Sequence, residues 1–182
     1  MHILVLPSFY PSTVRPMTGI FFKEQAEALA RAGYQVGVLV APRMRETLST
    51  YRQDKQLPSL TREGLPGGIP VYRMHRGWFP RVFPQITAAL HRRAAMEAFE
   101  AYIKAEGMPD IIHAHNIFYS GYMAAKLGEA YNIPTVLTEH SSNFLRGRVF
   151  LSGQHRVAEE TLAGIHTISA VSDVLARALK RY

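Results

Sequence analysis

The sequence predicts an α/β fold, a doubly wound and mostly parallel Rossmann-like sheet, and three observations predict it. Short apolar runs rich in branched residues recur along the chain, longer segments of helical period separate them, and polar stretches bearing glycine or histidine follow directly after several of the runs. Continuous apolar strands alternating with helices are the pattern of parallel strands covered on both faces. Right-handed crossovers then place every strand-to-helix loop at one sheet edge, where ligands bind in such folds. A chain of 182 residues, 47% of them hydrophobic, suits one domain with a real core.

The first run, His2 to Leu6, reads as a buried strand. Pro7 to Thr18 is a loop with three prolines, and Gly19 to Ala32 a helix with Phe21, Ala28, Leu29 and Ala32 on one face and Gly33 at its C-terminal cap. Gln35 to Val40 is the second strand. Ala41 to Gly68 is polar and basic and reads as an excursion closed by a Gly-Leu-Pro-Gly-Gly cluster. Ile69 to Met74 is the third strand. An aromatic, proline-rich link through Trp78, Phe79 and Phe83 leads to a helix from Gln85 to Ala105, with Met96, Phe99 and Ile103 as its stripe. Pro109 to His113 is a strand entering a helix from Phe118 to Tyr131, and Ile133 to Thr138 is the next strand. A helix near Gln154 to Ala163, the strand Ile165 to Val171 and a last helix capped by Ser172, with Val174, Ala178, Leu179 and Tyr182 inward, complete the chain.

Composition narrows the function. There is no cysteine, so no disulfide framework, thiolate metal site or cysteine nucleophile is available. The opening Met-His-Ile-Leu-Val-Leu-Pro lacks a basic stretch, and its apolar run is too short for a signal peptide or a membrane span. An excess of 21 basic over 14 acidic residues, +7 in all, favours anionic partners. The basic residues cluster at Arg43 to Arg52, Arg73 to Arg93 and Arg146 to Arg156, although solvated faces and loops are the commoner reason for such clusters.

Candidate chemistry follows the strands. Ser8, Tyr10, Ser12 and Thr13 lead to Thr18 and Gly19 at the mouth of a helix, where a glycine lets backbone approach an anion and free amides favour phosphate. A plain helix-entry glycine is the alternative. Neither GxGxxG nor GxxxxGK[ST] occurs, which removes dinucleotide and P-loop readings, and GxSxG is absent too. His113-Ala-His115-Asn116 follows one strand and Thr138-Glu139-His140-Ser141-Ser142-Asn143 the next. A metal cluster of His113, His115, Glu139 and His140 is geometrically thinkable, but histidines at strand ends more often orient or hydrogen-bond, and no metal is expected. His140 could shuttle a proton or bond a sugar hydroxyl. Arg146 and Arg148 could clamp a phosphate or simply face solvent.

The segments ILVLPSFYPS, GIFFKEQAEALARAGYQVGVLV, DIIHAHN, IPTVLTEHSSNF and ISAVSDVLARAL, in that order and spacing, resemble the N-terminal domain of glycosyltransferase family 4, retaining enzymes of the two-Rossmann GT-B architecture. The opening is most similar to bacterial members that build cell-surface polysaccharides. The resemblance implies an acceptor-side domain, with the nucleotide-sugar donor held mainly by a C-terminal domain that this chain does not contain, and no activity without it. It implies that Gly19 approaches the donor diphosphate, that His140 is catalytic, and that His115, Asn116, Glu139, Ser141 and Arg146 face the acceptor. Many relatives carry a double glycine before the first helix, where Thr18 precedes Gly19 here. No cofactor beyond the donor substrate, no nucleic acid, a glycan or lipid-linked acceptor, and a cytoplasmic location with peripheral membrane contact complete the expectation. The rival readings are a non-catalytic module for an anionic ligand and a metal-dependent hydrolase.

Overall fold

The computed structural model describes residues 1–13, 15–40, 60–64, 68–75, 84–142, 144–146 and 154–181. In chain order these form β1 (His2–Leu6), α1 (Ile20–Arg31), β2 (Gln35–Val40), β3 (Leu60–Gly64), β4 (Pro70–Met74), α2 (Pro84–Glu106), β5 (Ile111–His115), α3 (Tyr122–Tyr131), β6 (Thr135–Glu139), α4 (Gln154–Gly164), β7 (Thr167–Ala170) and α5 (Asp173–Leu179). One sheet runs β3-β4-β2-β1-β5-β6-β7. Every pairing is parallel except that of β3 with β4. The α/β doubly wound fold is therefore as the alternating pattern predicts. The strand order reverses at β1, which has β2 on one side and β5 on the other, and such a switch point opens a crevice at the C-terminal strand ends.

Alternation of side chains along the strands separates two cores. Ile3, Val5, Val36, Val38, Val40 and Val71 pack with Phe22 and Ala26 of α1. On the opposite face Leu4, Leu6, Leu39, Ile112, Ala114 and Leu137 pack with Phe99 and Tyr102 of α2 and Met123 and Leu127 of α3. His113 and His115 share their strand face with Ile111, a residue packed against the α1 core, so both imidazoles point towards α1.

Several elements differ from the sequence reading. The Ala41 to Gly68 excursion contains β3, antiparallel to β4 over Leu60↔Met74 to Gly64↔Pro70. Its half-exposed, polar LTREG gives no alternating signal; apart from Gly68, the rest of the excursion and the Trp78, Phe79 and Phe83 link lie outside the described residues. The fifth strand begins two residues later than Pro109. Asp110 closes its start instead, accepting the His2 amide on its carboxylate at 2.6 Å and donating its own amide to the His2 carbonyl at 2.8 Å. His115 consequently lies within the strand. The helix expected from Phe118 begins at Tyr122, because Ile117–Gly121 is a kinked turn in which Phe118 is extended and Tyr119 has φ 64°. Along α1, Phe22 and Ala26 are buried while Phe21 is 44% exposed and Ala28 and Ala32 face solvent, so the buried stripe is narrower and rotated. In α5 Ser172 caps as predicted, accepting the Leu175 amide at 3.2 Å, but Leu175 is buried and Val174 exposed. Tyr182 lies outside the described residues.

Candidate functional site

β1, β5 and β6 lie side by side and parallel, so the loops that follow them meet at one edge. The loop after β1 ends at Gly19, the N-cap of α1, with φ 76° and ψ 24° and no side-chain cap. A Cβ at this position would stand 2.5 Å from the Phe9 carbonyl oxygen. Glycine is required here on both counts: a left-handed backbone and no room for a side chain. It leaves the start of a twelve-residue helix uncovered by any capping side chain, with the positive end of the helix dipole directed at the same edge.

The loops after β5 and β6 are tied together by side chains that bond backbone. Glu139 is fully buried. One carboxylate oxygen accepts the Ile117 amide at 2.6 Å, and the other accepts the Ser141 amide at 2.6 Å and the His140 amide at 3.1 Å. Burial pushes its pKa up, against the opposing pull of these three amides. Asn116, held at φ 69° and ψ 141°, accepts the His140 amide at 3.2 Å on its side-chain oxygen and donates its amide nitrogen to Ser8 Oγ at 3.0 Å. Ser8 Oγ donates to the His115 carbonyl at 2.7 Å. The ends of all three strands are thereby fixed to one another, and backbone strain at Asn116 and Tyr119 is held in place at that edge.

Three imidazoles occupy the α1 face of this edge. His113 Nε2 pairs with Thr138 Oγ1 at 2.9 Å, and His115 Nδ1 with His140 Nε2 at 3.1 Å. The Phe22 ring lies 4.6 Å from that of His115 and 5.5 Å from that of His140, and Phe21 lies 5.6 Å from His140. The first turn of α1, beginning at Gly19, therefore touches His140 through its two phenylalanines. Burial lowers the His113 pKa to about 4 and, with His113 and His140 adding repulsion, that of His115 to about 3. Burial lowers the pKa of the half-buried His140 as well. All three are neutral at pH 7, and only His140 among them combines a loop position with partial exposure.

The structure thus brings Gly19, His115, Asn116, Glu139, His140 and Ser141 to one edge. It gives them unequal access. His115 and Glu139 are completely buried, and the side chain of Asn116 bonds Ser8 and the His140 backbone, so these three side chains tie the loops of the edge to one another. Arg146 is exposed, its amide bonded to the Ser142 carbonyl at 3.1 Å, and Arg148 lies outside the described residues. Among the described residues no three histidine, aspartate or glutamate side chains are grouped to hold a metal ion. Of the basic cluster at Arg73, that residue itself bridges Glu63 at 3.0 Å and the Pro11 carbonyl at 2.8 Å. Phe22, which clamps two imidazoles, was not singled out by sequence; the paired phenylalanines directly after the helix-entry glycine are the signal that marks it.

Residues 18–182 match the family model for the glycosyl transferase 4-like domain. The chain belongs to this family. A relative in Bacillus subtilis, the protein TuaC, assigned to teichuronic acid biosynthesis as a glycosyltransferase, is 30% identical over 188 residues, covering 100% of this chain and 46% of the relative. Among solved structures, UDP-GlcNAc 2-epimerase from Methanocaldococcus jannaschii superimposes with a TM-score of 0.58 at 12% identity, over 100% of this chain and 42% of the other. The N-terminal domain of Candida albicans trehalose-6-phosphate phosphatase gives 0.56 at 15% identity, over 98% and 42%. At these identities the structures share the Rossmann-like fold of GT-B proteins with the glycosyltransferase 4-like domain. The chain spans less than half the length of each of these proteins.

Proposed function

We propose that this domain is the acceptor-side half of a retaining glycosyltransferase that moves a sugar from a nucleotide diphosphate donor to a hydroxyl on a glycan or lipid-linked acceptor. The observation that carries the proposal is the meeting, in a chain of this family, of the uncapped α1 N-terminus at Gly19 with the His140 imidazole through Phe21 and Phe22. In this reading Gly19 admits the donor diphosphate to the helix amides, and His140 faces the reacting sugar. Ser141 and Arg146 line the acceptor side. His115, Asn116 and Glu139 keep the site in shape from behind, and the Glu139 carboxylate, enclosed by three amides, is no free nucleophile. Catalysis then rests on positioning and on stabilising the leaving phosphate, with the nucleotide sugar as substrate and no separate cofactor.

The donor grip belongs to a C-terminal domain of the same protein, without which this half is inactive. Among the described residues no helix is long and apolar enough to cross a membrane. A peripheral, cytoplasmic-face contact fits the +7 charge and the exposed Ile86 and Leu90 beside Arg92 and Arg93 on α2. Calorimetric titration of this chain with nucleotide sugars tests the division of labour. Weak or undetectable binding is expected; tight binding without a partner domain would show instead a self-sufficient module for an anionic ligand.

A further inference from the structure

The His115 and His140 pair raises a question that the transfer reaction leaves open: which proton lies between the two rings. Both imidazoles are neutral at pH 7, so the contact of 3.1 Å between His115 Nδ1 and His140 Nε2 holds one proton, donated by one ring and accepted by the other. The second nitrogen of His115 decides which. His115 Nε2 is buried and has no hydrogen-bond partner among the described residues. The ring is enclosed by Phe22, at 4.6 Å, and by the His113 ring, at 4.4 Å. If His140 were the donor, neutral His115 would carry its own proton on Nε2, a buried N–H without an acceptor, and such orphaned donors are rarer in folded proteins than under-satisfied acceptors. With the proton on His115 Nδ1 the bond is made and Nε2 keeps only an unshared lone pair.

We propose that His115 is a positioning residue that fixes His140 as its Nδ1–H tautomer, so that His140 presents a hydrogen-bond donor rather than a base to the cleft. The tautomer of a histidine is set by the bond its other nitrogen makes, and here His140 Nε2 accepts from a fully buried ring packed between Phe22 and His113. His140 Nδ1 has no hydrogen-bond partner among the described residues. A fixed N–H at that point would bond an oxygen of the sugar or of the leaving group, and it would not remove a proton from the acceptor hydroxyl. The assignment deepens the role given to His140 above and rests on it for its meaning, but not for its measurement.

The test is the nitrogen NMR spectrum of the histidine side chains in this chain, uniformly labelled with 15N, near pH 7. Protonated and bare ring nitrogens resonate far apart, so each tautomer is read directly. Expected are protonated Nδ1 and bare Nε2 in both His115 and His140. A protonated Nε2 on His140 overturns the proposal, whatever the activity of the full-length enzyme. In His115→Phe, which fills the same space without a donor, His140 should shift to a mixture of tautomers. Retention of the pure Nδ1–H form in His115→Phe would equally overturn it. If the tautomers are as expected while His140→Ala leaves turnover intact, the functional reading fails and the structural assignment stands.

Discussion

Replacing Gly19 by alanine should cost the fold far more than an ordinary glycine-to-alanine change. Two separate penalties apply. A side chain at φ 76° carries the left-handed penalty of about 1 kcal/mol. The new Cβ would also meet the Phe9 carbonyl oxygen at 2.5 Å, and relieving such an overlap with backbone costs about 2 kcal/mol more. Gly33 is the internal control, because it has φ 89° with nothing within 4 Å of its added Cβ and so carries only the first penalty. Urea unfolding of both variants separates the terms. At a slope of about 2 kcal/mol per molar urea, the midpoint should fall by about 1.5 M in Gly19→Ala and about 0.5 M in Gly33→Ala. Equal shifts would refute the reasoning, since they would mean that the loop after β1 can slide away from α1. That close approach also holds the left-handed glycine at the start of α1, where no side chain caps the helix.

Two further outcomes follow from the packing and the titrating groups. Ser172→Ala removes the only described side-chain bond to the Leu175 amide, 3.2 Å long, and should lower stability by about 1 kcal/mol in the same urea assay. Acid should destabilise the chain through its buried histidines. Burial holds His91 and His113 at about 4 and His115 at about 3, against the usual 6.5. Between these values the unfolded chain binds more protons than the native one, so stability is lost as pH falls below about 6.5. Each of the three should contribute a loss of about 1 kcal/mol at pH 5.5, and a urea midpoint unchanged between pH 7.5 and 5.5 would contradict their burial.

The sequence made the strands of the central sheet legible because they are continuous apolar runs buried on both faces, as HILVL and QVGVLV show. It hid β3, whose LTREG lies half in solvent and is fixed by pairing to β4. It also hid the late start of β5 and the turn at Ile117–Gly121, since long-range bonds from His2 to Asp110 and from Ile117 to Glu139 set those boundaries. The candidate site was legible in its membership: residue types and strand-end positions marked Gly19, His115, Asn116, Glu139 and His140. Their division into buried side chains bonded to the loops and a half-exposed imidazole was not. Whether a carboxylate faces a ligand or three backbone amides depends on loops that meet only after folding.

The central claim is that His140, at the edge where α1 begins, serves sugar transfer. Its most direct test is the turnover of nucleotide-sugar donor by the full-length protein carrying His140→Ala. Loss of a fixed hydrogen-bond donor at the reacting centre should lower kcat by about 100-fold while the variant remains folded. Wild-type turnover in a folded variant would contradict the claim.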